Sequence, residues 1–217
     1  MSLRPRRLLG LALLAWLACF QVLRTMGTWT PFAFIGVGLA ALGVYSRAVP
    51  RASLRPSLAS CSLGVLGGAG MVLLTHVIYG WVVALAPAVG VATQQLLQRL
   101  DLGGFPAASR ATLICVIASC EEILFRGLLP QGSAPPVAGL RRPQPRELSR
   151  VAIFTAAYAL TTAPLQSSLL MLCALVCGSV WALMRVATGS LVVPILAHAI
   201  WDLGVLLIWP LPAGPTG

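Results

Sequence analysis

Two glutamates and an arginine lie inside an otherwise apolar stretch, SCEEILFRGLLP, at residues 119–130. Ionisable side chains inside such a segment cost at least a few kcal/mol each, so they are functional candidates. Glu122 and Arg126 are four residues apart, a spacing that puts both side chains on one face of a helix. They could simply neutralise each other within that helix. This interpretation leaves Glu121 without a role, unless it faces a neighbouring hydroxyl or backbone group.

A histidine and an aspartate lie in a second apolar stretch near the C-terminus. His198 and Asp202 are also four residues apart and share a helix face. They could be a packing pair in which the carboxylate holds the imidazole. Counted from the cytoplasmic ends of their helices at 1.5 Å per residue, Glu122 and His198 lie at the same depth, roughly 12–14 Å from the inner face. The sequence therefore predicts that they can meet inside a helix bundle.

These residue types suit hydrolysis. A carboxylate among apolar neighbours can act as a general base on water, and a histidine on a facing helix can polarise a carbonyl or stabilise an oxyanion. Together they could hydrolyse a peptide bond in a water-filled cavity within the membrane. No cluster of cysteine and histidine indicates a metal site, and the GxSxG and HExxH motifs are absent. We expect no cofactor, and metal use is left open.

The composition places these residues in an integral membrane protein. The chain has 217 residues, 58% of them hydrophobic and only 9% charged, with a mean hydropathy of +0.90. Soluble domains carry roughly 25% charged residues. The net charge of +10 comes entirely from arginines, which cluster between apolar runs rather than on one polar face. We therefore expect contact with a lipid bilayer and no binding of nucleic acid.

Seven apolar segments are each long enough to cross or nearly cross roughly 30 Å of hydrocarbon. They predict an all-α, polytopic transmembrane helix bundle of roughly seven spans. N-terminal helices in residues 1–108 precede a helical core at 109–209 that carries the candidate catalytic residues, within one membrane domain. The third segment contains Gly64, Gly67, Gly68 and Gly70, which allow a close helix neighbour. The segments are residues 8–24, 31–46, 58–86, 109–129, 150–164, 165–185 and 189–209.

The arginines also predict the orientation of the chain. With the N-terminus in the cytoplasm, most of them fall on the inner side, as the positive-inside rule requires. The loop at 130–149, rich in proline and arginine, is then cytoplasmic, and we expect it to be mobile. Residues 87–108 are extracytoplasmic and carry a short amphipathic helix at 94–100. The first apolar run continues to Leu23, which favours an uncleaved first span of a multi-pass protein in the cytoplasmic (inner) membrane.

The remaining cysteines and histidine are expected to be structural. The six cysteines lie in or beside apolar runs without paired spacing, which predicts small buried side chains rather than a disulfide framework. His76 is isolated in the third segment. We interpret it as a lone buried or interfacial histidine.

The two polar motifs resemble those of the CAAX protease and bacteriocin-processing family of glutamate-dependent intramembrane proteases, also called the Abi family. Its first motif, EExxxR, stands here in EEILFRG. Its last motif is a histidine followed four residues later by Asn or Asp, and it stands here in TGSLVVPILAHAIWD. Both motifs occur within about residues 110–205. The residues that carry the resemblance are Glu121, Glu122, Arg126, His198 and Asp202.

The resemblance implies a role for each of these residues. Glu121 would activate water. His198 and Asp202 would bind the oxyanion. Glu122 and Arg126 would organise the site. The implied substrate is a membrane-anchored or lipid-modified protein or peptide.

One position departs from the family pattern. Between its two motifs the family has a Phe-x-x-x-His helix, and the best fit here is VAIFTAAYALTTAP. This stretch supplies Tyr158 at the aromatic position but Thr162 where the family has histidine. A threonine can form hydrogen bonds, but it cannot shuttle a proton as histidine does.

Three hypotheses follow for the function. The first is an active intramembrane protease that processes a C-terminal tail or sorting signal, in the manner of myxosortase-like enzymes. The second is a catalytically silent relative that acts as a scaffold or immunity protein, with the missing histidine as its mark. The third is a membrane carrier that uses the buried carboxylates as a proton or substrate relay.

Overall fold

The computed structural model describes residues 5–101, 104–129 and 140–212, and this part of the chain contains no strand. The structure is 82% helical, so the prediction of an all-α helix bundle is confirmed. Two of the helices, α5 and α8, continue into a π-helical turn at their C-terminal ends. The helices are α1 (Pro5–Met26), α2 (Thr30–Tyr45), α3 (Leu58–Leu85), α4 (Pro87–Leu100), α5 (Ala107–Glu121), α6 (Pro145–Leu160), α7 (Ser168–Thr188) and α8 (Val192–Leu203).

Each of the seven predicted segments corresponds to a helix, but they differ in length and polarity. Within the described part of the chain, four segments are long and apolar enough to cross a membrane: α1, α3, α7, and α6 together with the short 3-10 turn that follows it. Two others, α2 and α8 with its π-helical turn, are shorter apolar helices. The segment of α5 carries Arg110 as well as the acidic pair. The predicted total of seven is therefore a count of apolar helices, of which four have full spanning length.

The loop predicted at 130–149 ends earlier than expected, because α6 begins at Pro145 rather than at residue 150. The side chain of Glu147 accepts a hydrogen bond from the Gln144 backbone N–H at 2.9 Å, which caps the helix start. The same carboxylate pairs with Arg141 at 2.6 and 2.8 Å. The first half of the predicted mobile loop, residues 130–139, lies outside the described residues.

The structure also tests the predictions for residues 94–100, for His76 and for the six cysteines. The amphipathic helix expected at 94–100 is the last part of α4. The ring nitrogens of His76 lie 2.9 Å from the carbonyl oxygens of Val72 and Trp209. All six cysteines are free thiols, but only Cys19 and Cys120 are buried. The four others are half-buried, so the prediction of buried side chains is correct for two of the six.

Glycines of α3 bring this helix close to α8, as predicted. A Cβ added at Gly64 would lie 2.8 Å from the Leu196 Cβ, and one at Gly68 would lie 2.8 Å from the Ile200 Cβ. Real Cβ atoms do not come so close, so only glycine permits this approach. Gly70, in contrast, faces open space. Because α8 carries His198, the glycine face of α3 helps to position that imidazole.

We expect Gly68→Ala to destabilise the protein by about 1–3 kcal/mol through overpacking. The new Cβ would also lie 2.9 Å from the Ala197 carbonyl oxygen, so α8 must shift as a whole. The control is Gly70→Ala on the same helix, where the added methyl group meets no atom. The midpoint of thermal unfolding in detergent measures the difference, and equal midpoints for the two variants would contradict this packing argument.

Candidate active site

The EExxxR motif begins at the end of α5 and continues through a π-helical turn, Glu122–Arg126. In this turn the Gly127 backbone N–H donates to the Glu122 carbonyl oxygen at 2.9 Å. A Cβ at Gly127 would collide with the Ile123 carbonyl oxygen. Turns of this kind are rare in proteins, and many of the known ones lie at functional sites. The turn was not predicted from the sequence, and it sets the directions in which the motif's side chains point.

Glu121 is held by two hydrogen bonds from different helices. Its Oε1 accepts from the Trp16 indole N–H at 2.7 Å, and its Oε2 accepts from the Tyr158 hydroxyl at 2.6 Å. The residue is only 6% exposed. Each carboxylate oxygen has a second lone-pair direction. The carboxylate is therefore fixed in place and can still accept a hydrogen bond from a water molecule.

Glu122 and Arg126 form the predicted ion pair, but their contacts extend beyond their own helix. The Arg126 Nη1 lies 3.2 Å from the Glu122 Oε1, and the same Oε1 lies 2.9 Å from the His198 Nδ1. The Arg126 Nη2 donates to the Gly178 carbonyl oxygen at 3.2 Å. The guanidinium also lies over the Tyr158 ring, 4.5 Å from its centroid. The pair thus connects α5 to α6, α7 and α8, which is more than local charge neutralisation.

His198 joins the two sequence motifs. Besides the Nδ1 contact to Glu122, its Nε2 lies 3.4 Å from the Asp202 Oδ2 and 3.8 Å from the Glu121 Oε2. The indole of Trp181 stacks on the imidazole with ring centroids 3.6 Å apart. Both ring nitrogens face carboxylate oxygens, and an imidazolium can donate from both. The matched depths inferred from the sequence do correspond to a direct contact.

A cavity of about 180 Å³ opens beside these groups, enough for several water molecules. Apolar side chains supply most of its wall. Glu122 and Arg126 do not line it, so they support the site from behind. No group of three His, Cys, Asp or Glu side chains in the described ranges is arranged to hold a metal ion. The predicted site residues that line the cavity are Glu121, Tyr158, Thr162, His198 and Asp202.

Thr162 occupies the turn after α6 and is buried. Its hydroxyl donates to the Ala159 carbonyl oxygen at 2.8 Å. Because that hydrogen bond uses its only proton, the hydroxyl offers acceptor lone pairs to the cavity. The position of the missing histidine is thus part of the cavity wall, but it supplies no proton.

Trp16 is a site residue that the sequence did not identify. It lies 105 residues before Glu121 and is fully buried. Gly36 on α2 makes room for it, since a Cβ there would lie 3.0 Å from the Trp16 Cη2. The signal that could have found it is the indole N–H itself, because a buried tryptophan usually needs an acceptor. The helices before the core therefore contribute directly to the site.

If the site hydrolyses a peptide bond, we expect Trp16→Phe to lower the rate about tenfold or more, because a hydrogen bond to a charged group contributes about 1.5–3 kcal/mol. Phenylalanine keeps an aromatic ring in the pocket but leaves the Glu121 Oε1 without its donor. The matched control is Trp81→Phe, since Trp81 is exposed on α3. Turnover is measured together with the unfolding midpoint. Unchanged turnover in folded Trp16→Phe protein would contradict the role of the indole.

A comparison with known protein families gives a match to the segment that contains both motifs. Residues 104–204 match the family described as type II CAAX prenyl endopeptidase Rce1-like. No curated protein and no solved structure matches the chain. The matched segment includes α5 to α8, whereas Trp16 lies outside it. The match supports the resemblance to CAAX proteases, but not the narrower myxosortase-like group. Residues 104–204 of this membrane protein are thus similar to a family of CAAX proteases, which supports a function as an intramembrane endopeptidase.

Proposed function

We propose that the protein is a glutamate-dependent endopeptidase that hydrolyses a peptide bond in or near the membrane. The observation that carries the proposal is the convergence of Glu121, His198 and Asp202 on one cavity. They come from two helices, and the carboxylate oxygens of Glu121 and Asp202 lie 3.8 and 3.4 Å from the His198 Nε2. One carboxylate can serve as a base while the imidazole acts on the other side of a substrate carbonyl.

The reaction begins with a water molecule that donates a hydrogen bond to the Glu121 carboxylate. As the water oxygen attacks the carbonyl carbon of the scissile bond, its proton passes to Glu121. The carbonyl oxygen becomes an oxyanion, which accepts a hydrogen bond from the His198 Nε2. The C–N bond then breaks, and Glu121 returns the proton to the leaving amine. The products are a carboxylic acid and an amine.

Three other residues position these groups. Glu122 contacts the His198 Nδ1, so it fixes the imidazole with the Nε2 toward the cavity. Arg126 balances the charge of Glu122 on the side away from the cavity. Asp202 lies 3.4 Å from the same Nε2 and helps to orient the imidazole that donates to the oxyanion. A static, buried network of this kind can stabilise developing charge without reorganisation.

The apolar cavity wall favours a substrate that is membrane-anchored or lipid-modified. The C-terminal tail of such a protein, including a prenylated tail or a sorting signal, presents a peptide bond next to apolar groups. We place the protein in the cytoplasmic (inner) membrane with its N-terminus in the cytoplasm, because that orientation puts most arginines on the inner side. The proton transfer described above is carried out by a side chain of the protein, Glu121.

Mass spectrometry of membrane proteins tests this function and identifies the substrate. Cells that produce the wild-type protein are compared with cells that produce Glu121→Gln at the same level. We expect precursors with uncleaved tails to accumulate only in the variant. Identical tails in both populations would overturn the proposal.

The catalytically silent scaffold is a second candidate, and Thr162 favours it. The family pattern has histidine at this position, and the threonine proton is already used by the Ala159 carbonyl oxygen. A scaffold would bind a membrane helix in the same cavity without cleaving it. It would be recovered together with an intact partner, and the level of that partner would not depend on Glu121.

Thr162→His distinguishes these candidates. In an active protease the new imidazole can share the proton with Glu121, so we expect turnover to rise about tenfold or more. The control is Thr161→His, because Thr161 is equally buried but does not line the cavity. Turnover that stays unchanged or falls in Thr162→His would mean that the position is not an eroded base site.

A further inference from the structure

The last described residues form a non-helical segment, 209–212, which we call the strap. Its carbonyl oxygens are bound by side chains of two other helices. The His76 Nε2 lies 2.9 Å from the Trp209 carbonyl oxygen, and the Tyr79 hydroxyl donates to the Pro212 carbonyl oxygen at 3.0 Å. The Gln94 amide donates to the Pro212 carbonyl oxygen at 3.1 Å and to its neighbour's at 3.3 Å. Three side chains on α3 and α4 thus contact the backbone of one short peptide segment.

The strap resembles a bound peptide more than a packed helix end. Its sequence is Trp-Pro-Leu-Pro, and prolines favour an extended chain and remove backbone donors. The Trp209 ring stacks on the His76 ring with centroids 3.8 Å apart. Apart from that stacking, the polar contacts are made to backbone atoms. Such contacts do not depend on the identity of the side chains.

The strap lies between the catalytic cavity and a second, outer cavity. Leu211 lines the first cavity together with Glu121 and His198, and it also lines the second, which has a volume of about 260 Å³. The outer cavity carries polar groups, among them Asp101, whose side chain is 60% exposed. Leu97 of α4 is also shared by both linings. Displacement of the strap would therefore remove Leu211 from the wall between a polar, solvent-facing cavity and the catalytic one.

We propose that the groove that holds the strap is a binding site for the backbone of an extended apolar peptide. The strap is its internal occupant, and a substrate peptide displaces it to reach the catalytic cavity. The same three side chains would then contact carbonyl oxygens of the substrate, and an apolar substrate side chain would replace Leu211. The identification of the displacing peptide as a substrate rests on the proposed endopeptidase function. The occupancy of the groove does not.

Two native cysteines report on the strap independently of hydrolysis. Cys173 and Cys177 line the catalytic cavity. N-ethylmaleimide is added to the full-length protein in detergent, and peptide mass spectrometry measures the alkylation rate of each cysteine. Cys61, which does not line that cavity, is the internal reference.

Loss of one donor should loosen the strap. We expect Gln94→Ala and Tyr79→Phe each to speed alkylation of Cys173 and Cys177 about three- to tenfold, as the loss of one hydrogen bond implies. The matched control is Gln98→Ala. Gln98 lies one turn further along α4 and makes no hydrogen bond to the described strap residues. Equal rates in all three variants and the wild type would overturn the proposal.

A peptide in trans tests the groove itself. In a chain that ends at Ile208, we expect fast alkylation, and synthetic Trp-Pro-Leu-Pro amide in excess should slow it several-fold. If the peptide has no effect on the truncated chain, the groove does not bind a peptide. The same alkylation rates, measured in Glu121→Gln protein, separate the two proposals, because this variant changes the proposed base and leaves the strap unaltered. Strap-dependent alkylation without any hydrolysis by the wild type would overturn the endopeptidase function alone.

Discussion

Glu121→Gln is expected to lower the rate of peptide-bond hydrolysis by about 10²- to 10⁴-fold, the usual contribution of a general base. Glutamine has the shape of glutamate, but its amide cannot take a proton from water. The fold should tolerate the change, because the Tyr158 hydroxyl can rotate to accept a hydrogen bond from the new NH₂ group. Turnover of a tail precursor by purified protein in lipid vesicles measures the effect.

A second glutamate provides the control for the loss of a buried charge. Glu147 is also buried, and it pairs with Arg141 at the start of α6, outside the cavity lining. We expect Glu147→Gln to lower the unfolding midpoint without a comparable loss of turnover. Activity in Glu121→Gln similar to that of the wild type would assign the base to another group.

His198→Gln is the second change with a large expected effect. Removal of one oxyanion-stabilising donor typically costs about 10²- to 10³-fold in kcat. The imidazole bridges Glu122 and the cavity, and a glutamine amide cannot reproduce both contacts at once. Because the oxyanion exists only in the transition state, kcat should fall while KM changes little.

The same kinetic measurement separates chemistry from folding. The unfolding midpoint of His198→Gln is determined with the same preparation, since the network around Glu122 loses a partner. A raised KM with unchanged kcat would show that His198 binds substrate rather than the transition state. That result would remove the oxyanion site from the mechanism.

The sequence was most informative about residues within one helix or at equal depth. The four-residue spacings placed Glu122 beside Arg126 and His198 beside Asp202, and both pairs are present. The equal depth of Glu122 and His198 in the membrane correctly predicted that they can meet, although they are 76 positions apart in the sequence. These inferences succeeded because helix geometry and membrane thickness convert sequence distance directly into position.

Contacts between unrelated helices carried no such signal. Trp16 and Trp181 reach the site only because α1 and α7 pack beside it, and no local pattern encodes that packing. The π-helical turn after Glu121 was also not predicted, because its apolar sequence has the pattern of a continuous helix. The early start of α6 was encoded locally, by Pro145 and the cap from Glu147, but the surrounding arginines suggested a loop.

The buried charges form one connected network rather than isolated pairs. Two glutamates, an aspartate, an arginine and a histidine are linked by charged contacts of 3.8 Å or less, three of which involve His198. Removing one member of a buried pair is strongly destabilising, because its partner is left uncompensated. Conservative replacements by amides are therefore the informative variants at this site, and replacements by alanine would mix lost chemistry with lost folding.

Hydrolysis in heavy-oxygen water tests the central claim most directly. Purified wild-type protein and Glu121→Gln are incubated in vesicles with a tail precursor. Mass spectrometry then measures the mass of the product peptide that carries the new C-terminus. We expect the wild type to place one heavy oxygen atom in each new carboxylate and the variant to leave the precursor intact. Equal cleavage by both proteins, or a wild type that leaves every precursor uncut, would contradict water activation by Glu121.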